Sequence, residues 1–180
     1  LPLMIIIAIV IVIDDPSAGP FFKQVRVGRH GKEFYMYKFR TMRRNVRNVA
    51  TADLKDSDKY ITKSGRILRK TSLDELPQLV NVLLGDMSFV GPRPLIPEEK
   101  EIRVLRKKYN VYSVQPGITG WAQINGRDSL TIEEKALFDK EYIDKQSIWF
   151  DIQILFRTVF VVLKRENISE GGEPNNKRKI

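Results

Sequence analysis

The residue types in this chain that can do covalent chemistry are few. Cysteine is absent and histidine occurs once, as His30. That excludes a disulfide, a thiol nucleophile and Cys-ligated zinc, and a single histidine argues against a Ser-His-Asp triad or a multi-His metal site. Carboxylates and cations must therefore carry any reaction. The stretch TSLDELPQLVNVLLGDMSFVGPRP, residues 71–94, sets Asp74 and Glu75 side by side and then holds Arg93 between Pro92 and Pro94. Adjacent carboxylates are oxygen ligands for Mg²⁺, which neutralises phosphate charge during transfer. An arginine in a backbone stiffened on both sides loses little freedom when it grips a phosphate. Carboxylate, divalent metal and arginine are the parts of a phosphoryl-transfer site.

The same residues also read as architecture. Ser72 to Glu75 matches the S-x-x-E capping box, acids are stabilised at a helix start, and Pro77 is tolerated only in a first turn. Leu73, Leu76, Leu79, Val80 and Leu83 follow the i, i+3, i+4, i+7 rule and predict an amphipathic helix from Leu73 that stops near Gly85. Spacing alone leaves cap and catalyst both open.

The elements that must position these groups fit one domain: 180 residues with 42% hydrophobic content bury a single core. Thirty-one Lys and Arg against 22 Asp and Glu, a net charge of +9, imply acidic partners such as phosphates, nucleic acid or an anionic membrane. After the turn cluster PSAGP, the runs FFKQVRV and EFYMYKFRT flank GRHGK and predict a β-hairpin ending near Thr41. Residues 42–66 read as an exposed polar connection with room for a short helix. IPEEKEIRVLRKKY begins with proline and acids and ends in cations, as a helix prefers. QPGITGWAQINGR, residues 115–127, reads as a shaped loop, TIEEKALFDKEYIDKQ as a helix, and residues 166–180 as a frayed tail.

Two segments are unusually apolar. Residues 3–13 are apolar throughout; as a helix they cover about 16 Å, roughly half a hydrocarbon core. A buried strand rich in β-branched residues and a helix entering a bilayer both fit. The last helix, SIWFDIQILFRTVFVVLKR, suits a core or a membrane interface, with Trp149 near its start and Arg157, Lys164 and Arg165 toward its end. One membrane explains both segments and the positive charge.

FRTM, TSLDELPQLVNVLLGDMSFVGPRP and QPGITGWAQINGR, in this order, resemble the signature blocks of the bacterial sugar transferases, the monotopic polyprenol-phosphate phosphoglycosyl transferases. The resemblance runs from about Leu1 to Arg165 and matches the small catalytic form. It implies transfer of a sugar 1-phosphate from a UDP-sugar to membrane polyprenol (undecaprenyl) phosphate, with release of UMP and a requirement for Mg²⁺, as the first step of glycoconjugate synthesis. Asp74 is then the nucleophile that forms a covalent phosphosugar intermediate, at a helix start whose free N–H groups favour phosphate. Glu75 completes the dyad and holds the metal, with Asp74 as a second ligand, and Arg93 holds a phosphate. Lys38, Arg127 and Asp151 match positions at or near the family's site; an equal reading of Asp151 is a polar residue orienting its helix. The implied fold is α+β: a small mixed domain with a β-hairpin, amphipathic interfacial helices and an N-terminal re-entrant membrane helix. Residues 1–14 are the remnant of that helix, broken at Pro2 and lacking its first half, residues 15–165 the catalytic domain, and the location the cytoplasmic face of the bacterial inner or plasma membrane.

Two other readings are separable. Asp56 and Asp58, in DSD, resemble the metal-binding Asp-x-Asp of some glycosyltransferases, which would release UDP. They lie in a charged run with no apolar strand leading in, which favours a solvated loop. A nucleic-acid-binding module fits the charge, but no zinc pattern or aromatic-basic RNA signature accompanies it, so no nucleic-acid partner is expected.

Overall fold

The computed structural model describes residues 2–44, 57–126 and 129–164. They form an α+β domain, and the tail at 166–180 lies outside them. Helix α1 (Pro2–Asp14) opens on Pro2, whose missing N–H is harmless at a first helical position. The apolar run is therefore a helix and not the buried strand that its β-branched content also allowed. Ile7 and Ile11, four residues apart, pack with Phe39 and Leu68, while Leu3, Ile5, Ile9 and Ile13 stay exposed. No helix among the described residues is long and apolar enough to cross a membrane.

The predicted hairpin forms from β1 (Phe21–Val27) and β2 (Glu33–Phe39), in antiparallel register from Phe21 opposite Phe39 to Val27 opposite Glu33. His30 and Gly31 close its tip in the left-handed region, at φ 58° and 74°. The polar connection then yields a full helix, α2 (Lys63–Thr71), anchored at three points. Thr62 caps it by accepting from Gly65 N–H at 3.0 Å, and Thr62 N–H donates to Thr41 O at 3.0 Å. Gly65 packs so tightly on Thr41 that a β-carbon there would lie 2.1 Å from its carbonyl oxygen. Asp14, the last residue of α1, accepts from Ser64 N–H at 2.7 Å and Ser64 Oγ at 2.8 Å, joining α1 to the start of α2.

The helix expected from Leu73 is broken into parts. Ser72 adopts φ 56° and closes α2, its N–H meeting Arg69 O and Leu68 O. Leu73–Glu75 is a single 3-10 turn, and α3 (Gln78–Leu83) starts only after Pro77. Ser72 makes no side-chain cap bond, so the capping box read from Ser72 and Glu75 is not formed. A working capping box occurs at α6 (Ile132–Lys145), where Thr131 and Glu134 bond reciprocally at 3.2 and 2.8 Å.

Helix α3 is also turned over relative to its apolar pattern. Gln78 and Asn81 face inward, while Leu79, Val80 and Leu83 are exposed, Leu83 at 87%. Asn81 explains the inversion: its Oδ1 accepts from Tyr37 N–H at 3.0 Å and its Nδ2 donates to Tyr35 O at 2.7 Å, so an amide docks α3 on the hairpin edge.

Strand β3 (Ser88–Val90) pairs in parallel with β4 (Gly117–Thr119), so the segment read as a loop contains a strand, followed by one turn of helix, α5 (Trp121–Ile124). A β-carbon on Gly117 would lie 2.1 Å from Gly91 N, which makes glycine obligatory at this approach. Helix α4 (Lys100–Lys108) packs on α6 through Ile102 and Ala136, with Leu95 in the same cluster. Helix α7 (Ile148–Lys164) buries Ile154 with Val90, Ile124 and Tyr142, and exposes Trp149, Phe156, Val159 and Phe160.

Candidate active site

Three elements bring the predicted residues together. Lys38 comes from the end of β2, Glu75 from the 3-10 turn, and Arg93 from the segment after β3. Lys38 Nζ donates to Glu75 Oε1 at 3.0 Å and Arg93 Nη2 donates to the same oxygen at 3.1 Å. The side chains of Lys38 and Glu75 are 16% and 12% exposed, that of Arg93 33%. One largely buried carboxylate thus holds two cations, in an environment where charge-assisted bonds are strong.

Asp74 is half-buried beside this cluster. Loss of water raises its carboxyl above the ordinary 3.8, and Glu75 pushes the same way, against the pull of Lys38, Arg69 and Arg93. Burial in turn lowers the Lys38 ammonium, opposed mainly by Glu75. Arg26 adds a further cation, brought down to about 10 chiefly by burial and next by Arg93. Two carboxylates among Lys38, Arg26, Arg69 and Arg93 leave the site with an excess of positive charge, so it attracts anions. The helix-dipole argument for Asp74 does not carry over, because α3 begins beyond it and is only six residues long.

Arg93 sits in a segment whose backbone is held residue by residue. Pro92 and Pro94 have no N–H to satisfy, and the carbonyls of residues 92 to 95 accept in turn from β4, α4 and, for the last two, β1. Gly117 N–H donates to Pro92 O at 3.0 Å, Arg106 Nη1 to Arg93 O at 2.7 Å, Arg26 Nη1 to Pro94 O at 3.2 Å and Val27 N–H to Leu95 O at 2.8 Å. Arg106 in turn pairs with Asp139.

Glu75 and Arg93 open into a cleft of about 260 Å³, walled by Leu76, Leu79, Phe89, Ile118, Val161 and Val162. Thr119 and Thr158 share a hydrogen bond at 2.8 Å in the same wall, tying β4 to α7. Gln123 also lines the cleft, its buried amide bonded to nothing among the described residues.

The other predicted positions fall elsewhere. Asp151 accepts from Tyr142 Oη at 2.9 Å and is raised by burial, while Tyr142 also reaches Val90 O at 3.3 Å. The Tyr142–Asp151 bond joins α7 to α6, and the contact of Tyr142 with Val90 O adds β3. Arg127 and Asp56 lie outside the described residues, and Asp58 falls in a 3-10 turn, Ser57–Tyr60. Sequence reading missed Arg26, Arg106, Asn81, Gln123 and Asp139. For Arg106 and Asp139 a signal exists: each falls on the stripe of its helix that Ile102 or Ala136 marks as buried.

No group of three or more His, Cys, Asp or Glu suited to a metal occurs among the described residues. Asp74 and Glu75 still fit Mg²⁺, which in phosphate sites takes one or two carboxylates and fills its remaining positions with water and phosphate oxygens.

A cluster of cations continues into an apolar cleft, chemistry that suits an anion attached to an apolar body. Comparison with known sequences agrees: the chain belongs to the bacterial sugar transferase family, whose description matches residues 1–165. It is 48% identical over 150 residues to the uncharacterized sugar transferase EpsL of Bacillus subtilis, covering 83% of this chain and 73% of that protein. Similarity extends to the UDP-glucose:undecaprenyl-phosphate glucose-1-phosphate transferase of Escherichia coli, 44% identical over 167 residues, and to the undecaprenyl-phosphate galactose phosphotransferase of Salmonella typhimurium, 43% over 166. These cover 88% and 83% of this chain but 36% and 35% of those proteins, so the chain spans about a third of their length.

Proposed function

We propose that this protein transfers a sugar 1-phosphate from a UDP-sugar to undecaprenyl or a related polyprenol phosphate and releases UMP, the step that starts a glycoconjugate such as an exopolysaccharide, capsule, O-antigen or glycoprotein glycan. The observation that carries the reading is the cleft: Glu75 and Arg93 offer charge at one side and Leu79, Phe89, Val161 and Val162 an apolar wall at the other. The reactions named for the Escherichia coli and Salmonella relatives supply the substrates.

In this mechanism an Asp74 carboxylate oxygen attacks the phosphorus that bears the sugar. The phosphoanhydride bond to UMP breaks and UMP leaves with its electron pair. A phosphate oxygen of the polyprenol then attacks the same phosphorus, the acyl-phosphate bond breaks, and the carboxylate returns. Lys38, Arg69 and Arg93 oppose the protonation that burial favours at Asp74. Arg93 orients a phosphate, and Glu75 holds Lys38 and Arg93 at fixed separation. Glu75, with Asp74, would hold Mg²⁺, which offsets charge on the diphosphate when bound.

Detergent-solubilised protein given a panel of UDP-sugars, polyprenol phosphate and Mg²⁺ should release UMP with one or a few of them. EDTA should stop release and Mg²⁺ restore it. Undiminished turnover in chelator would remove the metal from the scheme, and release of UDP in place of UMP would favour the Asp-x-Asp alternative.

The exposed apolar residues of α1, α3 and α7 support a membrane-seated domain, with α1 in a re-entrant helix and α7 lying in the cytoplasmic interface. Apolar burial contributes roughly 25 cal/mol per Å² and is not screened by salt. Leu83→Asp with Leu84→Asp should therefore weaken sedimentation with phosphatidylglycerol vesicles at both low and high salt while leaving Tm unchanged. Vesicle binding equal to wild type would remove α3 from the membrane face.

A further inference from the structure

Among the described residues, the most deeply buried charges lie behind Arg93. Arg106 and Asp139 are 4% and 1% exposed. Arg106 Nε donates to Asp139 Oδ2 at 2.7 Å, Nη2 lies 2.7 Å from the same oxygen, and Nη1 donates to Arg93 O at 2.7 Å. One guanidinium thus joins α4, α6 and the Arg93 segment.

A buried ion pair is a poor device for stability alone. Desolvating both charges offsets much of their attraction, and apolar residues of similar size often do as well or better. This pair's third bond leads somewhere specific. Pro92 and Pro94 limit the backbone angles around Arg93, but they do not set the height of the segment above α4. A charge-assisted donor on the carbonyl of Arg93 itself does so. Arg26 reaches the next carbonyl at the longer distance of 3.2 Å and shares its guanidinium with Gln24 Oε1 at 2.6 Å, so it is the weaker of the two side-chain supports.

We propose that Arg106, oriented by Asp139, is a positioning residue that fixes Arg93 at the height where its guanidinium meets the substrate phosphate. The inference rests on the phosphate-binding reading of Arg93. Arg106 touches no substrate. It acts through one carbonyl, and its contribution disappears when the Arg93 side chain is gone.

The test is a mutant cycle read in steady-state UMP release and in Tm. The double variant Arg106→Met with Asp139→Leu removes the ion pair without stranding either charge, so Tm should stay near wild type. kcat/KM for the UDP-sugar should fall at least tenfold, mostly through KM if Arg93 holds the ground-state phosphate. Arg106→Lys is the companion variant: a lysine's point charge can keep Asp139 paired but lacks the fork that also reaches Arg93 O, so it should show the same loss with the fold preserved. In an Arg93→Ala background, both sets of changes should cost less than threefold more. A folded variant with wild-type kcat/KM, or a loss that adds in full to that of Arg93→Ala, overturns the positioning role. Wild-type kcat/KM in Arg93→Ala alone overturns the phosphate role of Arg93, and this inference with it.

Discussion

Asp74→Asn will lower transfer by about a thousandfold or more while leaving the protein folded, because an amide is a poor nucleophile and cannot form the acyl-phosphate bond. Its stability should move the other way. The Asp74 carboxyl is raised on folding, so the stability it lends is full below the ordinary 3.8 and is lost as pH rises through the folded value. Asparagine does not titrate. At neutral pH the variant should therefore melt at or above the wild-type temperature, and the difference should close in acid. Wild type incubated with UDP-sugar and no lipid acceptor should carry the mass of a sugar phosphate on the peptide holding Asp74, and the variant should carry none. Near wild-type turnover, or added mass on another peptide, would end the covalent scheme at this residue.

Glu75→Gln should cost activity and stability together. The amide oxygen can accept from one neighbour, but the negative charge that holds Lys38 and Arg93 at 3.0 and 3.1 Å is gone, and two poorly hydrated cations are left facing each other. A loss of about 1–3 kcal/mol is expected from such half-broken pairing, discounted because Arg93 retains some solvent. Turnover should drop by about a hundredfold, and the Mg²⁺ concentration needed for half-maximal rate should rise. The two neighbouring acids are thus distinguishable: amidation of one spares the melting temperature, and amidation of the other lowers it. A Glu75→Gln protein matching wild type in both rate and Tm would show that the shared carboxylate has no role.

The hairpin was legible because its two runs and turn carry local signals, and α6 because its periodicity suits a helix of ordinary length. Helix α2 was hidden in a polar stretch, since much of what holds it comes from Thr41 and Asp14, far off in sequence. Helix α3 was misread because apolar spacing shows that one face differs from the other, not which of the two is buried. Asn81, paired with the backbone of β2, reversed the expected answer. At the site, Asp74, Glu75 and Arg93 stood out through adjacency and flanking prolines, and Lys38 through the family resemblance. The cation arrangement around them did not, because Arg106 meets Asp139 across 33 residues and no local pattern encodes that meeting.

The bond between Asp14 and Ser64 has a geometric consequence. Ser64 holds the Asp14 carboxyl below its ordinary value, so the link survives moderate acidity. From there α2 runs nine residues, about 13 Å, to the turn that carries Asp74. On the proposed reading, with α1 seated in the lipid, this makes a ruler of fixed length between the membrane-seated helix and the carboxylate proposed to react. A polyprenol phosphate keeps its headgroup at a set depth, so on that reading nucleophile and acceptor would be matched in elevation before they meet, and their encounter would become a search across a plane.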